Sequence, residues 1–296
     1  MEVKYYDPSI DRKSGLIDSL LDDRHGKCYP AVVEISGSGA CNRVCEFCPR
    51  SDPSYPHNES MISDEIIDSI TRSLSTIDYA GLVIFSGFSE PLLDKKLELK
   101  LKKIKAELPK CKIEVVTNGD PLSARRVRSL FKAGLDTLLI SLYDSPSQQD
   151  DFIAMAQEAD VDSGKIILRP RYLPADMDFG ITLNNRSGAV EGAKFSIKKL
   201  SKSLDRPCNY PFYTIFVDYD GAVLLCPHDW GKKFQAGNLH VDNLLDIWFG
   251  DQFEFARNKL AQGDRQFSPC SGCDVNGTLI GEKHRQNFLN KSSEAV

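Results

Sequence analysis

Two groups of cysteines carry the chemistry legible in this chain. Cys41-Asn-Arg-Val-Cys45-Glu-Phe-Cys48 puts three thiols into one short segment, and Cys208, Cys226, Cys270 and Cys273 form a second set that ends in Cys-Ser-Gly-Cys. Cys28 and Cys111 stand apart from both. An odd total of nine and tight clustering argue against a disulfide framework, and residues 1–11 lack the apolar core of an export signal. Reduced thiols in a cytoplasmic protein are therefore expected. Thiolates are soft donors that suit zinc or iron–sulfur centres. Structural zinc wants four ligands. Three in one loop instead fit a 4Fe–4S cluster that leaves one iron without a protein ligand. A zinc site completed by a distant histidine is the bland alternative. The second set offers four ligands, and spacing alone allows structural zinc or a second 4Fe–4S cluster.

Such ligands need a scaffold. Short apolar runs at 31–36, 82–85, 112–116, 137–141 and 165–169 read as strands. Between them, 62–74, 92–108, 122–133 and 150–159 read as helices, the first with Ser63 as N-cap and the third closed by Gly134. Strand–helix alternation with short loops implies right-handed crossovers and a parallel sheet. Five strands and four helices are too few for a closed eight-unit barrel. The expected fold is α/β: an open, curved partial (β/α) barrel of about five parallel strands, with chemistry at their carboxyl ends. The pattern stops after Tyr172. Residues 173–206 read as connecting loops with one short strand at most, carrying Asn184-Asn-Arg-Ser-Gly188 and a basic stretch at 194–202. That stretch is either a solvated face or a lure for an acidic substrate. Residues 212–218, the turn Asp220-Gly221 and 222–225 predict a β-hairpin, and 241–262 a helix. The expected organisation is an N-terminal extension (1–29), the barrel (30–172), the connection (173–206), a C-terminal cysteine-bearing unit (207–285) and a tail (286–296) whose last residues, 290–296, fray.

Composition sets the outer limits. The 296 residues are 41% hydrophobic and 27% charged, which excludes wholesale disorder, and the net charge of −5 gives no overall footprint for nucleic acid. No run of about 18 apolar residues predicts a membrane span. Neither a nucleic-acid partner nor a membrane is expected.

The C-x₃-C-x₂-C pattern, with aromatic Phe47 before the third cysteine on the loop after a first strand, resembles the signature of the radical S-adenosylmethionine (SAM) superfamily. The resemblance implies Cys41, Cys45 and Cys48 as cluster ligands, with SAM chelated at the open iron and Phe47 against its adenine. In the family, one-electron reduction cleaves SAM to methionine and a 5′-deoxyadenosyl radical that abstracts hydrogen. Ser86-Gly-Phe-Ser-Glu90-Pro91 resembles the family's Gly-Gly-Glu-Pro-like motif at the second strand end, which implicates Gly87, Ser89 and Glu90 in holding the SAM ammonium. Phe88-Ser89 departs from the usual small pair. Thr117-Asn118-Gly119 ends the third strand as in family members. Ser141 matches a ribose-binding position, and Arg169 or Arg171 a partner for the SAM carboxylate.

Cys208, Cys226, Cys270 and Cys273, with Gly237-Asn-Leu and Ile247-Trp248, resemble the auxiliary-cluster extension of the SPASM and twitch subgroup. With no cysteine after Cys273, one auxiliary 4Fe–4S cluster is implied: the twitch form. The implied reaction is hydrogen abstraction from a small polar substrate, an alcohol such as a polyol, amino sugar or sugar nucleotide. The auxiliary cluster would take the second electron, and a flavodoxin- or ferredoxin-type protein would supply the reducing electron. Arg186, in the connecting region, matches an arginine that contacts the substrate hydroxyl in a dehydrogenase of the subgroup; a surface arginine is its bland counterpart. His228, Asp229 and Trp230 are expected to line the second cluster or the substrate cleft, with supporting packing as the favoured reading. Epimerisation needs a thiol hydrogen donor, and Cys28 and Cys111 both precede strands, at the wrong rim. A peptide-modifying enzyme is the rival within the family, although the 40 residues before Cys41 are short for a leader-binding domain. Outside the enzymes, the alternative is a zinc-stabilised binding module.

Overall fold

The computed structural model describes residues 9–190 and 200–294. One eight-stranded sheet organises the chain. Its strands are β1 (Val32–Ser36), β2 (Leu82–Phe85), β3 (Lys112–Thr117), β4 (Thr137–Leu142), β5 (Ile166–Pro170), β6 (Thr214–Asp218), β7 (Ala222–Leu224) and β8 (Gln235–Asn238). They lie in the order β5-β4-β3-β2-β1-β6-β7-β8. The helices are α1 (Ser9–Ser19), α2 (Asp64–Ser75), α3 (Leu97–Glu107), α4 (Ala124–Lys132), α5 (Gln148–Glu158), α6 (Tyr210–Tyr213), α7 (Leu244–Phe249), α8 (Asp251–Ala261) and α9 (Glu282–Glu294).

β1 to β5 pair in parallel, with α2 to α5 as the crossovers. The strands are apolar throughout because both faces are covered. Val33, Ile35, Val83, Phe85, Ile113 and Val115 pack outward under the helices. Val32, Leu82 and Ile84 face inward and meet Ile17 of α1 and Tyr213 of α6. Ser63 caps α2 by accepting from the Ile66 N–H, and Ile66, Ile67, Ile70 and Leu74 are its buried face, as the periodicity predicts.

Several expectations need revision. The expected hairpin exists as β6–β7, but β6 also pairs in parallel with the free edge of β1, Val32 opposite Thr214 and Ile35 opposite Val217. The C-terminal unit therefore extends the barrel sheet, and β8 adds a third antiparallel strand. The helix expected at 92–108 starts only at Leu97. Pro91–Leu93 forms a separate 3₁₀ turn, and the Asp94 carboxylate accepts from the Lys96 N–H (2.8 Å) and binds Lys100 (2.5 Å). The helix expected at 241–262 splits in two because Gly250 is extended (φ −80°, ψ 169°). The break lets Trp248 turn fully into the core and donate to the Cys28 carbonyl (2.9 Å). Among the described residues of 173–206 there is no strand, only single turns at Ala175–Gly180 and Arg186–Gly188. Residues 194–199 of the basic stretch lie outside the described residues. Helix α9 runs through Glu294, into the stretch expected to fray from Asn290; ahead of it Phe288 packs edge-on against Phe212 (5.2 Å), and His284 Nε2 meets the Ile17 carbonyl (2.9 Å). Among the described residues no helix is long and apolar enough to cross a membrane.

Candidate active site

The inner face of the sheet encloses a cavity of about 580 Å³ whose wall takes residues from every parallel strand, among them Glu34, Ile84, Val116, Ser141, Arg169 and Thr214. Cys41, Cys45 and Cys48 form its rim on the loop after β1. Three ties hold that loop. Arg50 donates to the carbonyls of Phe88 (2.7 Å) and Gly39 (2.9 Å), joining it to the end of β2. Arg43 grips Asp120 (2.6 and 2.7 Å) and Asp144 (2.8 Å), and Asn42 donates to Asp120 (2.7 Å), joining it to the loops after β3 and β4. Gly39 permits a close approach, since a Cβ there would lie 2.6 Å from the Asn58 carbonyl oxygen. Burial, then the charges of Cys48 and Cys41, push the Cys45 thiol up to about 12; burial also raises Cys41 and Cys48. Three soft sulfur donors gathered on one loop at the cavity rim are a set that fits iron.

The sequence-predicted SAM residues converge on this cavity. Phe47, Gly87, Ser89, Glu90, Asn118, Ser141, Arg169 and Arg171 all line it. Glu90 accepts from the Leu92 N–H (3.0 Å), the Thr117 hydroxyl (2.6 Å) and the Asn118 N–H (2.8 Å). A carboxylate offers about four lone-pair directions, so one stays open for a ligand ammonium. The Ser89 hydroxyl is buried with no hydrogen-bond partner, an orphan that a bound polar group would satisfy. Phe88 fills an aromatic space, its ring lying 4.7 Å from Phe216 and 4.5 Å from Trp230. Gly87, at φ +83°, has no room for a side chain: a Cβ would sit 2.9 Å from Phe216. Arg169 donates to Ser141 Oγ (3.1 Å) across β5–β4, whereas Arg171 donates to the carbonyls of Pro170 (2.9 Å) and Gly180. Phe47 stacks near Tyr143 (6.3 Å) and Phe179 (5.2 Å).

The second set is buried throughout. Burial pushes Cys208 up to about 11. It raises Cys226 further with help from Cys270, Cys273 and Cys208, so the four thiols feel one another. Sequence reasoning missed the residue that gathers them. Arg265, 2% exposed, donates to the carbonyls of Arg206, Pro207, Val275 and Asn276 at 2.8–3.0 Å, binding the segments beside Cys208 and Cys273 together. Gly277 is required there, since a Cβ would meet Cys208 Sγ at 2.8 Å. Among the described residues no three His, Cys, Asp or Glu groups are drawn together as for a single metal ion, so the fit to a polynuclear cluster rests on the donor chemistry. Asp229 serves the backbone, accepting from the N–H groups of Lys233 and Phe234. His228 and Trp230 line the cavity; burial, then Arg186, push His228 down to about 3, and its Nε2 meets the Tyr210 hydroxyl (2.9 Å).

Arg186 lines the same cavity beside Cys48, Tyr210 and Asp274, with Arg171 also near, and burial lowers its pKa. Glu34 was not anticipated. It accepts from the Ser86 hydroxyl on the cavity wall, with Lys13 of α1 nearby, and burial holds its carboxyl above the usual range. The signal was present: an acid inside Val-Val-Glu-Ile, at the inward phase of a two-residue period. Neither Cys28 nor Cys111 lines the cavity; Cys28 Sγ accepts from Asn287, and Cys111 is part of the outer core.

Comparison with known proteins agrees with this geometry. Residues 35–156 match the radical SAM superfamily, and residues 208–274 match the SPASM iron–sulfur cluster-binding domain. A relative from Niallia circulans, S-adenosyl-L-methionine-dependent 2-deoxy-scyllo-inosamine dehydrogenase, is 27% identical over 82% of this chain and 92% of its own. The crystal structure of BtrN in complex with AdoMet and 2-DOIA shares the fold (TM-score 0.71, 24% identity, 87% of this chain and 98% of that one). So does Streptococcus suis SuiB bound to its precursor peptide SuiA (TM-score 0.56, 17% identity, 83% and 70%). This chain carries a radical SAM domain followed by a SPASM iron–sulfur cluster-binding domain, which together imply SAM and two iron–sulfur clusters as its cofactors.

Proposed function

We propose that the protein is a radical SAM dehydrogenase that oxidises an alcohol carbon of a small polar substrate, an amino-bearing polyol or amino sugar. One observation carries the reading: a single cavity is rimmed by the first cysteine loop and also by Pro227, His228, Asp274 and Val275, which flank ligands of the second set. When bound, the clusters and SAM supply a hydrogen-abstracting radical and an electron acceptor. The chain's own residues do the rest. Glu90 and Ser89 hold the SAM ammonium, and Asn118 fixes Glu90. Arg169 takes the SAM carboxylate, because Arg171 is directed to backbone carbonyls. Ser141 faces the ribose, and Phe47 the adenine.

Arg186 orients the substrate hydroxyl and stabilises its developing negative charge, in a buried place where such an interaction is strong. Glu34 meets a substrate amine, a charge-assisted contact. The activity of the N. circulans relative supports this substrate class. Oxidation is favoured over epimerisation because neither thiol outside the two sets lines the cavity. The reading carries with it a cytoplasmic setting, a biosynthetic role and a flavodoxin- or ferredoxin-type donor; nine free cysteines suit a reducing compartment.

The test is anaerobic reconstitution with candidate amino polyols deuterated at the carbinol carbon. Deuterium should appear in 5′-deoxyadenosine with formation of a ketone. In Cys226→Ala, SAM cleavage should persist while ketone formation stops. Undiminished ketone from that variant, or return of hydrogen to the same carbon with inversion, would overturn the assignment.

A further inference from the structure

The first cysteine loop and the Glu90 carboxylate are tied to each other twice over. The direct tie is backbone: the Glu90 N–H donates to the Ala40 carbonyl (2.9 Å), just ahead of Cys41. The second runs through the turn after β3. That turn is tight, since Thr117 Oγ1 accepts from the Gly119 N–H (3.0 Å) and Asn118 Oδ1 from the Asp120 N–H (3.0 Å). Gly119 lies at φ +83°, where a Cβ would meet the Phe152 ring at 2.4 Å. A turn closed in this way acts as one piece. It supplies two of the three donors to Glu90, the Thr117 hydroxyl and the Asn118 N–H. Asn42, next in sequence to Cys41, grips the same turn at two points. Its Oδ1 accepts from Asn118 Nδ2 (2.8 Å), and its Nδ2 donates to Asp120 Oδ2 (2.7 Å). Both ends of the Asn42 amide and both ends of the Asn118 amide are therefore engaged. Asn42 does not line the cavity, so whatever it does for a ligand there passes through the turn.

We propose that Asn42 is a positioning residue that fixes the separation between the cysteine loop and the Glu90 carboxylate, acting through Asn118. The need is geometric. Glu90 and the cysteine loop hold one ligand, SAM, between them, and a small misplacement of either weakens the contact to its ammonium. The Asn42–Asn118 bond sets where the Asn118 N–H stands, and that N–H sets where Glu90 Oε2 stands. The ammonium acceptor thus follows the cysteine loop. The inference rests on Glu90 taking the SAM ammonium, as proposed above, and not on the identity of the alcohol.

The test is anaerobic equilibrium dialysis of the reconstituted full chain with two ligands, SAM and 5′-methylthioadenosine. The second keeps the adenosine and lacks the ammonium. Asn42→Ala should bind SAM about three- to tenfold more weakly, as for the loss of one hydrogen bond, and methylthioadenosine within about twofold of wild type. Asn118→Ala removes the same bond without touching the cysteine loop. It should show the same split, and it decides the matter if Asn42→Ala takes up less iron. In the double variant the loss should fall clearly short of the two single losses combined, because both act through one contact. SAM affinity within about twofold of wild type in both variants overturns the proposal. So does equal weakening of both ligands, which would mean a generally loosened site, and so do losses that add in full. Glu90→Gln, run alongside, tells the failures apart. If it leaves SAM binding unchanged, the ammonium contact itself falls; if it weakens SAM while the two asparagine variants do not, only the positioning role falls.

Discussion

Replacing Glu90 with Gln removes one negative charge and almost no volume, so its consequences follow from hydrogen bonds alone. Glu90 Oε1 accepts from Leu92 N (3.0 Å) and Thr117 Oγ1 (2.6 Å), and Oε2 accepts from Asn118 N (2.8 Å). An amide has only one accepting oxygen. If that oxygen stays with Leu92 and Thr117, the new NH₂ opposes the Asn118 N–H; if it flips, the Leu92 N–H is stranded. Either way one buried donor goes unmet, at a cost of about 1–3 kcal/mol. Losing the charge works in the opposite direction, since burial holds Glu90 above its ordinary pKa. The expected net loss is therefore about 1–2 kcal/mol in urea unfolding of the cluster-free chain. The ligand effect should be larger. A charge-assisted bond to the SAM ammonium is worth about 1.5–3 kcal/mol, so SAM should bind about ten- to hundredfold more weakly to the reconstituted variant in anaerobic equilibrium dialysis. A Glu90→Gln protein with an unmoved unfolding midpoint and SAM affinity within about threefold of wild type would refute both the three-bond account and the ammonium contact.

Glu34→Gln should behave differently with pH. The Glu34 carboxyl is raised chiefly by burial, with Ser86 and Lys13 pulling it down and Glu114 adding to the rise. A folded value above the unfolded one gives stability that is complete below the unfolded pKa and lost as pH climbs through the folded value. Gln keeps an acceptor for Ser86 but does not ionise. The stability difference, variant minus wild type, should grow as pH rises above the ordinary carboxylate value of 4.5 in urea titrations; a flat difference contradicts the assignment. Phe88→Ala should cost about 3–5 kcal/mol, because the ring fills the space between Phe216 and Trp230. A loss below about 1 kcal/mol in the same assay would mean that the aromatic stack is dispensable.

What the sequence disclosed was whatever depends on local order. The period of Ile66, Ile67, Ile70 and Leu74, the cap at Ser63 and the three-cysteine loop at Cys41–Cys48 are each written within a dozen residues or so, and the structure has the helix, its cap and the loop where they were expected. The convergence of Glu90, Asn118, Ser141 and Arg169 was reachable because alternation of strand and helix forces successive strand ends to the same rim. Long-range pairing left no such trace. The pairing of Thr214 with Val32 joins residues far apart in the chain, and a parallel edge strand looks locally like half a hairpin. Arg265 likewise reads as an ordinary surface arginine until four carbonyls from two distant segments are seen around its guanidinium. Gly250 was misjudged for a related reason: the apolar spacing on either side is continuous, and only the burial of Trp248 requires the axis to bend.

The seam between β1 and β6 bears on how this molecule can be assembled on a ribosome. Until residues 214–218 emerge, β1 keeps one side bare, with a row of unmatched amide and carbonyl groups directly ahead of the cysteine loop. Open rows of this kind recruit any passing extended chain. A nascent chain stalled before residue 214 should therefore be sticky and a customer for holdase chaperones. For the same reason, dividing the gene at residue 206 would yield two insoluble pieces rather than two working modules.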